Sequence, residues 1–154
     1  MFDTVLIAGL GLMGGSMAKT IKARTLSRVL GWNRTRATAE QALADGSIDA
    51  IATEALYKEA DLVIIGLYPQ ATVDWLLENM PKMKKGCVIV DMVGVKQFMV
   101  DHLEQAALDA GVHYVGGHPM AGREFSGLDY SLPTLFDGAS MIFVPTKSST
   151  ERVL

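Results

Sequence analysis

The sequence predicts an α/β fold built on a mostly parallel sheet with helices on both faces. Two observations predict it. Short runs rich in β-branched apolar residues recur along the chain, and stretches with helical apolar spacing separate them. Parallel strands joined by crossover helices require this alternation. The 154 residues, 49% hydrophobic and 20% charged, are enough for one core, so we expect a single domain over residues 1–154.

Six apolar runs are the candidate strands of this sheet. Each has the length of an ordinary strand and is bounded by glycine, proline or polar residues. The six runs are Thr4–Ala8, Val29–Trp32, Leu62–Leu67, Cys87–Asp91, His113–Gly116 and Ser140–Val144. A weaker strand is expected near Ile51.

Three segments between these runs carry an apolar stripe at helical spacing, and we expect each stripe to face the core. The stripes are Met13, Met17 and Ile21; Val73, Leu76, Leu77 and Met80; and Met99, Leu103, Ala106 and Ala110. Pro69 suits the first turn of the second helix, and Gly111 suits the end of the third. Residues 121–138 lack such periodicity, and a loop of that length is typically functional.

Composition and charge exclude several classes of function. A net charge of -3 without a dense Lys/Arg run gives no electrostatic footprint for nucleic acid or an anionic membrane surface. The single cysteine, Cys87, favours a reducing, cytoplasmic location. The apolar N-terminus has no basic leader and is broken by glycines, so we expect a buried strand rather than a signal or membrane segment. No Cys/His cluster has metal-ligand spacing, and no metal is expected.

A glycine-rich motif follows the first predicted strand. Gly9, Gly11 and Gly14 form a G-x-G-x-x-G pattern that leads into the first predicted helix. This pattern allows a tight turn, close approach of a pyrophosphate and close helix–strand packing, and the helix N-terminus attracts the phosphates. The strand–turn–helix context favours a Rossmann-type, doubly wound domain that binds a dinucleotide, over a purely structural turn. Leu12 and Met13, inside the motif, are further expected cofactor contacts.

The end of the second strand distinguishes NADP from NAD. NAD sites typically have Asp or Glu there, ~20 residues beyond the glycines. This chain has Asn33, followed by Arg34 and Thr35, which supply a positive charge and a hydroxyl for a 2′-phosphate. We therefore expect NADP to be preferred over NAD. The alternative is that Arg34 and Arg36 are solvated residues at the start of a surface helix.

Later loops add candidate cofactor contacts. Tyr68 and Pro69 follow the strand predicted at Leu62–Leu67, and Gly94 follows the next strand. In doubly wound sheets ligands lie outside the carboxyl ends of the strands, where these residues are expected.

His118 is the candidate catalytic residue. It stands just past a predicted strand end, between a glycine pair and a proline, and its ordinary pKa of ~6.5 suits it to accept the proton of an alcohol being oxidised. On these grounds a hydrogen-bonded loop histidine is equally consistent. Arg123 could bind a substrate carboxylate, or form a surface salt bridge with Glu124 or Asp129. Ser126, in the same loop, is a further candidate substrate contact.

The motifs "GLGLMGGSMAK", "DMVGVK", "GGHPMAGREFSG" and "LFDGASMIFVPT" resemble the prephenate dehydrogenase family, including its arogenate-using members, across nearly the whole chain. The resemblance implies that His118 draws off the ring-hydroxyl proton of prephenate as hydride leaves the same carbon for the nicotinamide. Loss of CO2 then gives 4-hydroxyphenylpyruvate, or tyrosine from arogenate, which places the reaction in tyrosine biosynthesis.

The sequence departs from the family pattern in two ways. Many members have a serine where this chain has Gly94, which puts serine-assisted substrate positioning in doubt. The resemblance also implies a C-terminal helical domain and a homodimeric full-length form, and residues 1–154 do not include that domain.

Two alternatives stay open. The openings "GLGLMGGSMA" and "WNRT" also resemble β-hydroxyacid dehydrogenases of the 6-phosphogluconate type, although that class lacks "GGHPMAG". The second alternative is a non-catalytic NADP-binding module.

Overall fold

One seven-stranded sheet organises the chain in a computed structural model, which describes residues 1–151 and 153–154. The strands are β1 (Thr4–Ala8), β2 (Arg28–Trp32), β3 (Ala50–Ile51), β4 (Leu62–Ile65), β5 (Val88–Asp91), β6 (His113–Pro119) and β7 (Met141–Pro145). Their order across the sheet is β3-β2-β1-β4-β5-β6-β7. Strands β1 to β6 are parallel and β7 is antiparallel to β6, which confirms the mostly parallel sheet.

Within the described part of the chain, five α-helices cover the two faces of the sheet. They are α1 (Leu12–Arg24), α2 (Arg36–Ala44), α3 (Glu54–Tyr57), α4 (Pro69–Asn79) and α5 (Lys96–Ala110). Side chains of α1 and α2 form one apolar cluster with residues of β1 and β2 on one face of the sheet. Side chains of α3, α4 and α5 belong to the cluster on the opposite face. Because crossover helices lie on both faces, the doubly wound, Rossmann-type fold is confirmed.

Each predicted strand is present, but several strands begin or end at a residue other than the predicted one. β1 is as predicted, and the weak strand near Ile51 is the two-residue β3. β4 ends at Ile65 rather than Leu67, because the backbone turns away after Gly66 donates its N–H to Ala8. β6 extends to Pro119 rather than Gly116, because β7 pairs with its last residues. Only the antiparallel partner supplies hydrogen bonds that far along the strand.

Two predicted core positions lie outside the core. Met13 on α1 belongs to neither apolar cluster. Leu77 is 46% exposed, whereas Val73 and Leu76 on the same helix are buried. The buried face of α4 is completed by Thr72 and Trp75, so it is centred one residue before the predicted stripe. Leu77 therefore faces solvent.

The long segment over residues 121–138 is docked on α1. It contains a short 3-10 helix, Leu128–Tyr130, whose Leu128 side chain is buried. The N–H of Leu132 donates to Ser16 Oγ over 2.9 Å, and Lys19 Nζ donates to the Ser131 carbonyl over 3.3 Å. These contacts fix the position of the preceding residues 125–127.

An apolar groove of about 270 Å³ lies on the α1 face of strands β4 to β7. Its lining residues are all aliphatic, aromatic or thioether: Phe2, Met17, Leu62, Ile64, Val88, Val90, Val115, Met141, Phe143, Val153 and Leu154.

Among the described residues, no helix has the length and apolar character needed to cross a membrane. Cys87 is buried, and burial raises the pKa of its thiol to about 12, so it is unreactive at neutral pH.

Candidate active site

The glycine-rich turn joins β1 to α1 at the carboxyl end of the sheet. Gly9 has a φ of +93°, and a Cβ there would lie 2.6 Å from the carbonyl oxygen of Gly66. A Cβ on Gly14 would lie 1.7 Å from the carbonyl oxygen of Gly9, so α1 packs directly against the turn. Gly11 has open space where its Cβ would be. The turn therefore leaves the first N–H groups of α1 accessible to an anion.

A cleft of about 740 Å³ opens beside this turn. Nine of the predicted site residues line it: Gly9, Gly11, Leu12, Met13, Asn33, Arg34, Thr35, Tyr68 and Ser126. The cleft lies at the carboxyl ends of β1, β2 and β4, where doubly wound folds bind ligands. An open glycine, an accessible helix N-terminus and a cleft of this volume together fit a dinucleotide.

The other predicted residues, Gly14, Pro69, Gly94, His118 and Arg123, do not line this cleft. Gly14 lies under the turn, and Pro69 is the first residue of α4.

Several lining residues were missed by the sequence analysis: Trp32, Leu67, Ala71, Asp74, Trp75, Glu78, Met92, Phe125 and Gly127. Four of them, Ala71, Asp74, Trp75 and Glu78, follow the i, i+3, i+4, i+7 spacing of one helix face, and that spacing could have located them. Trp32 and Trp75, the two tryptophans of the chain, pack with ring centroids 5.5 Å apart.

The loop after β2 is fixed by Asn33. Its Oδ1 accepts the N–H of Leu10 over 2.9 Å, and its Nδ2 donates to the Thr35 carbonyl over 3.1 Å. Asn33 therefore ties the glycine-rich turn to the loop that carries Arg34, which is exposed on the cleft. Arg36 instead pairs with Glu40 one helical turn on, over 2.9 Å, as the surface-residue alternative expects for it.

His118 lies within β6, paired with Ile142 of β7, rather than just past a strand end. The ring is half-buried, and its Nδ1 is buried without a hydrogen-bond partner among the described residues. A Cβ on Gly94 would lie 3.4 Å from His118 Cε1. Met92, which lines the cleft, is two residues from Gly94, so the imidazole lies next to a loop that contributes to the cleft lining.

A buried ion pair braces this loop. Asp91, at the end of β5, is fully buried and pairs with Lys96 Nζ. Its Oδ1 also accepts the Val93 N–H over 2.8 Å, and its Oδ2 accepts the Tyr114 hydroxyl over 2.6 Å. Burial, with the neighbouring Asp91 carboxylate, raises the pKa of Tyr114, which therefore stays a hydrogen-bond donor. The network ties both ends of the segment that holds Gly94.

Arg123 is held inside its own loop. Its Nη1 donates to the Tyr130 carbonyl over 2.9 Å, and its guanidinium lies 5.6 Å from the centroid of the Phe125 ring. Phe125 stacks on Tyr130 with centroids 4.7 Å apart. Asp129, a suggested salt-bridge partner, instead accepts from Gln41 over 2.6 Å.

We expect Gly14→Ala to lower the free energy of unfolding by about 1–3 kcal/mol, because the new methyl group overlaps backbone atoms that cannot move independently. Gly11→Ala is the matched control, since its methyl group meets no atom within 4 Å. Urea denaturation of both variants measures the difference. Equal stability of the two variants would contradict the packing described for the turn.

Comparison with known proteins agrees with this geometry. A family model described as the nucleotide-binding domain of prephenate dehydrogenase matches residues 17–154. The chain belongs to this family. The resemblance noted in the sequence is thereby confirmed.

Individual relatives support this assignment. Prephenate dehydrogenase of Bacillus subtilis is 35% identical over 158 residues, which cover 100% of this chain and 42% of that protein. A crystal structure of prephenate dehydrogenase from A. aeolicus with hydroxyphenyl propionate and NAD+ superimposes with a TM-score of 0.89 at 28% identity, over 99% of this chain and 54% of that one. Synechocystis arogenate dehydrogenase gives a TM-score of 0.86 at 25% identity, over 97% and 52%.

The chain spans about half the length of these relatives. The part of the family that residues 17–154 match is its nucleotide-binding domain.

Proposed function

We propose that this chain supplies the NAD(P)-binding domain, and the catalytic histidine, of an enzyme that oxidatively decarboxylates prephenate or arogenate. The observation that carries the proposal is the half-buried His118 ring against the loop whose Met92 lines a cleft fitted to a dinucleotide. Relatives named prephenate and arogenate dehydrogenases support the choice of substrate class.

In the proposed reaction His118 accepts the proton of the substrate's ring hydroxyl through Nε2. The bound nicotinamide supplies the acceptor for the hydride that leaves the same carbon. The electron pair of the breaking O–H bond forms the carbonyl. When CO2 leaves, the electron pair of the broken C–C bond enters the ring, and the carbonyl oxygen takes up a proton to give the aromatic hydroxyl. Ser126 on the cleft wall and Arg123 nearby in sequence are proposed substrate contacts.

NADP is proposed as the preferred cofactor. Arg34 is exposed on the cleft, and Asn33 stands where a carboxylate would repel a 2′-phosphate. We expect Arg34→Ala to weaken NADP+ binding about tenfold, the loss of one charge-assisted contact, and to change NAD+ binding less than twofold. Calorimetric titration measures both. Arg36→Ala is the control, and an equal loss of NADP+ affinity in both variants would contradict a specific role for Arg34.

The domain boundary and assembly are also proposals. We propose that residues 1–154 form the dinucleotide-binding domain of a longer homodimeric protein with a helical domain. The greater length of the relatives and the apolar groove on the α1 face support this, since such a groove is commonly covered by further protein.

The test is whether the longer protein turns over prephenate or arogenate. Turnover is monitored by the absorbance of the reduced cofactor and by analysis of the product. We expect one of the two to be oxidised with release of CO2. Cofactor binding without turnover of either substrate would favour the non-catalytic NADP-binding module. Turnover of a β-hydroxy acid instead would favour the 6-phosphogluconate type.

A further inference from the structure

The two ring nitrogens of His118 have different surroundings. Among the described residues, Nδ1 is the one side-chain nitrogen or oxygen that is both buried and without a hydrogen-bond partner. Nε2 forms no hydrogen bond within the same residues and is absent from that buried set, so solvent reaches it. A ligand in the site can therefore meet Nε2 but not Nδ1.

The space beside Nδ1 is faced by Gly94. A Cβ at this position would lie 3.8 Å from Nδ1 and 3.4 Å from Cε1 of His118, which are ordinary contact distances. Gly94 is exposed and does not have a positive φ, so its backbone accepts other residues. A polar atom carried one or two bonds beyond that Cβ would come within hydrogen-bond distance of Nδ1.

The missing partner matters for the position of the ring proton. A neutral imidazole has one N–H donor and one acceptor nitrogen, and the hydrogen bond made by one nitrogen fixes the state of the other. To accept a proton at Nε2, the ring must carry its own proton on Nδ1. With the proton on Nδ1, the ring has a buried N–H donor without an acceptor; with the proton on Nε2, Nδ1 is instead a buried acceptor without a donor. Buried N–H groups without an acceptor are the rarer of the two in proteins, which favours the Nε2–H form.

We propose that residue 94 sets the tautomer of His118, and that glycine there leaves the resting neutral ring with its proton on Nε2. The tautomer that can accept a proton at Nε2 is then the minor form, and ligand binding must select it. The consequence for catalysis rests on the proposed function, but the tautomer itself does not.

Two substitutions, compared with the glycine at position 94, separate the effect of filled space from the effect of a hydrogen-bond acceptor. Gly94→Asp adds an ionised carboxylate, which only accepts hydrogen bonds, within reach of Nδ1. It is expected to move the tautomer ratio toward the Nδ1–H form about tenfold, the equivalent of one hydrogen bond to a charged group. Gly94→Ala fills the same space without an acceptor and is expected to leave the ratio unchanged.

The experiment is nitrogen-15 NMR of the imidazole of His118 in the 154-residue chain without ligand, at a pH where the ring is neutral. The expected spectrum has a pyridine-type shift at Nδ1 and a pyrrole-type shift at Nε2, and in Gly94→Asp both shifts move toward those of the Nδ1–H form. A pyrrole-type Nδ1 in the unsubstituted chain overturns the proposal, and so does an equal change in Gly94→Ala and Gly94→Asp. Because no substrate is present, failure here is distinct from failure of turnover, which alone would refute the proposed function.

Discussion

Replacement of His118 by asparagine is expected to lower turnover by about 10²–10⁴ in the longer, active protein, because general acid–base catalysis contributes that much. Nε2 of the half-buried ring is open to solvent, and asparagine fills a similar volume without a group that accepts a proton at neutral pH. Steady-state rates with saturating cofactor and substrate measure the effect.

Binding distinguishes this result from a general loss of structure. Affinity for NADP+ is expected to stay within about twofold, because His118 does not line the cofactor cleft. His102→Asn is the matched control, since that histidine is exposed on α5, where its ring hydrogen-bonds the Phe98 carbonyl and packs on the Phe98 ring. A loss of turnover below about tenfold for His118→Asn would contradict the proton-transfer role.

Lys96→Met is expected to lower the free energy of unfolding by about 3–5 kcal/mol at neutral pH, because it leaves the fully buried Asp91 carboxylate without its counter-ion. The Val93 N–H and the Tyr114 hydroxyl remain as donors, but neither carries a charge. Urea denaturation followed by circular dichroism measures the change.

The matched control is Lys82→Met. Lys82 pairs with Glu54 over 2.7 Å, but the Glu54 side chain is 68% exposed, and exposed pairs contribute about 1 kcal/mol or less. If Lys96→Met cost as little as Lys82→Met, the buried network would not be what braces the loop at Gly94.

Local sequence pattern predicted most of the fold. β1, the glycine-rich turn and the start of α4 at Pro69 follow from residues that are neighbours in sequence. The extension of β6 to Pro119 did not, since it depends on pairing with β7, more than twenty residues away in the chain. Leu77 was misplaced because an apolar residue beside a buried stripe satisfies the spacing rule without being buried.

The site was predictable where a motif carries its own geometry. The glycines and the residues after β2 line the cleft because strand–turn–helix motifs fix them locally. The bond from Tyr114 to Asp91 and the contact of Gly94 with His118 join different elements, and only the packed sheet brings them together. The sequence offered Arg123 a substrate carboxylate or a carboxylate neighbour as its partner, and only the folded loop brings its guanidinium to the Tyr130 carbonyl.

Calorimetric titration of the 154-residue chain with NADP+ and then NAD+ tests the central claim most directly. We predict binding of one dinucleotide per chain, with NADP+ the tighter ligand, and loss of affinity in Gly11→Ala, whose methyl group would occupy the space for the pyrophosphate. Tighter binding of NAD+ would overturn only the cofactor preference. Binding of neither nucleotide would contradict the account, because the cleft beside the glycine-rich turn would then not be a dinucleotide site.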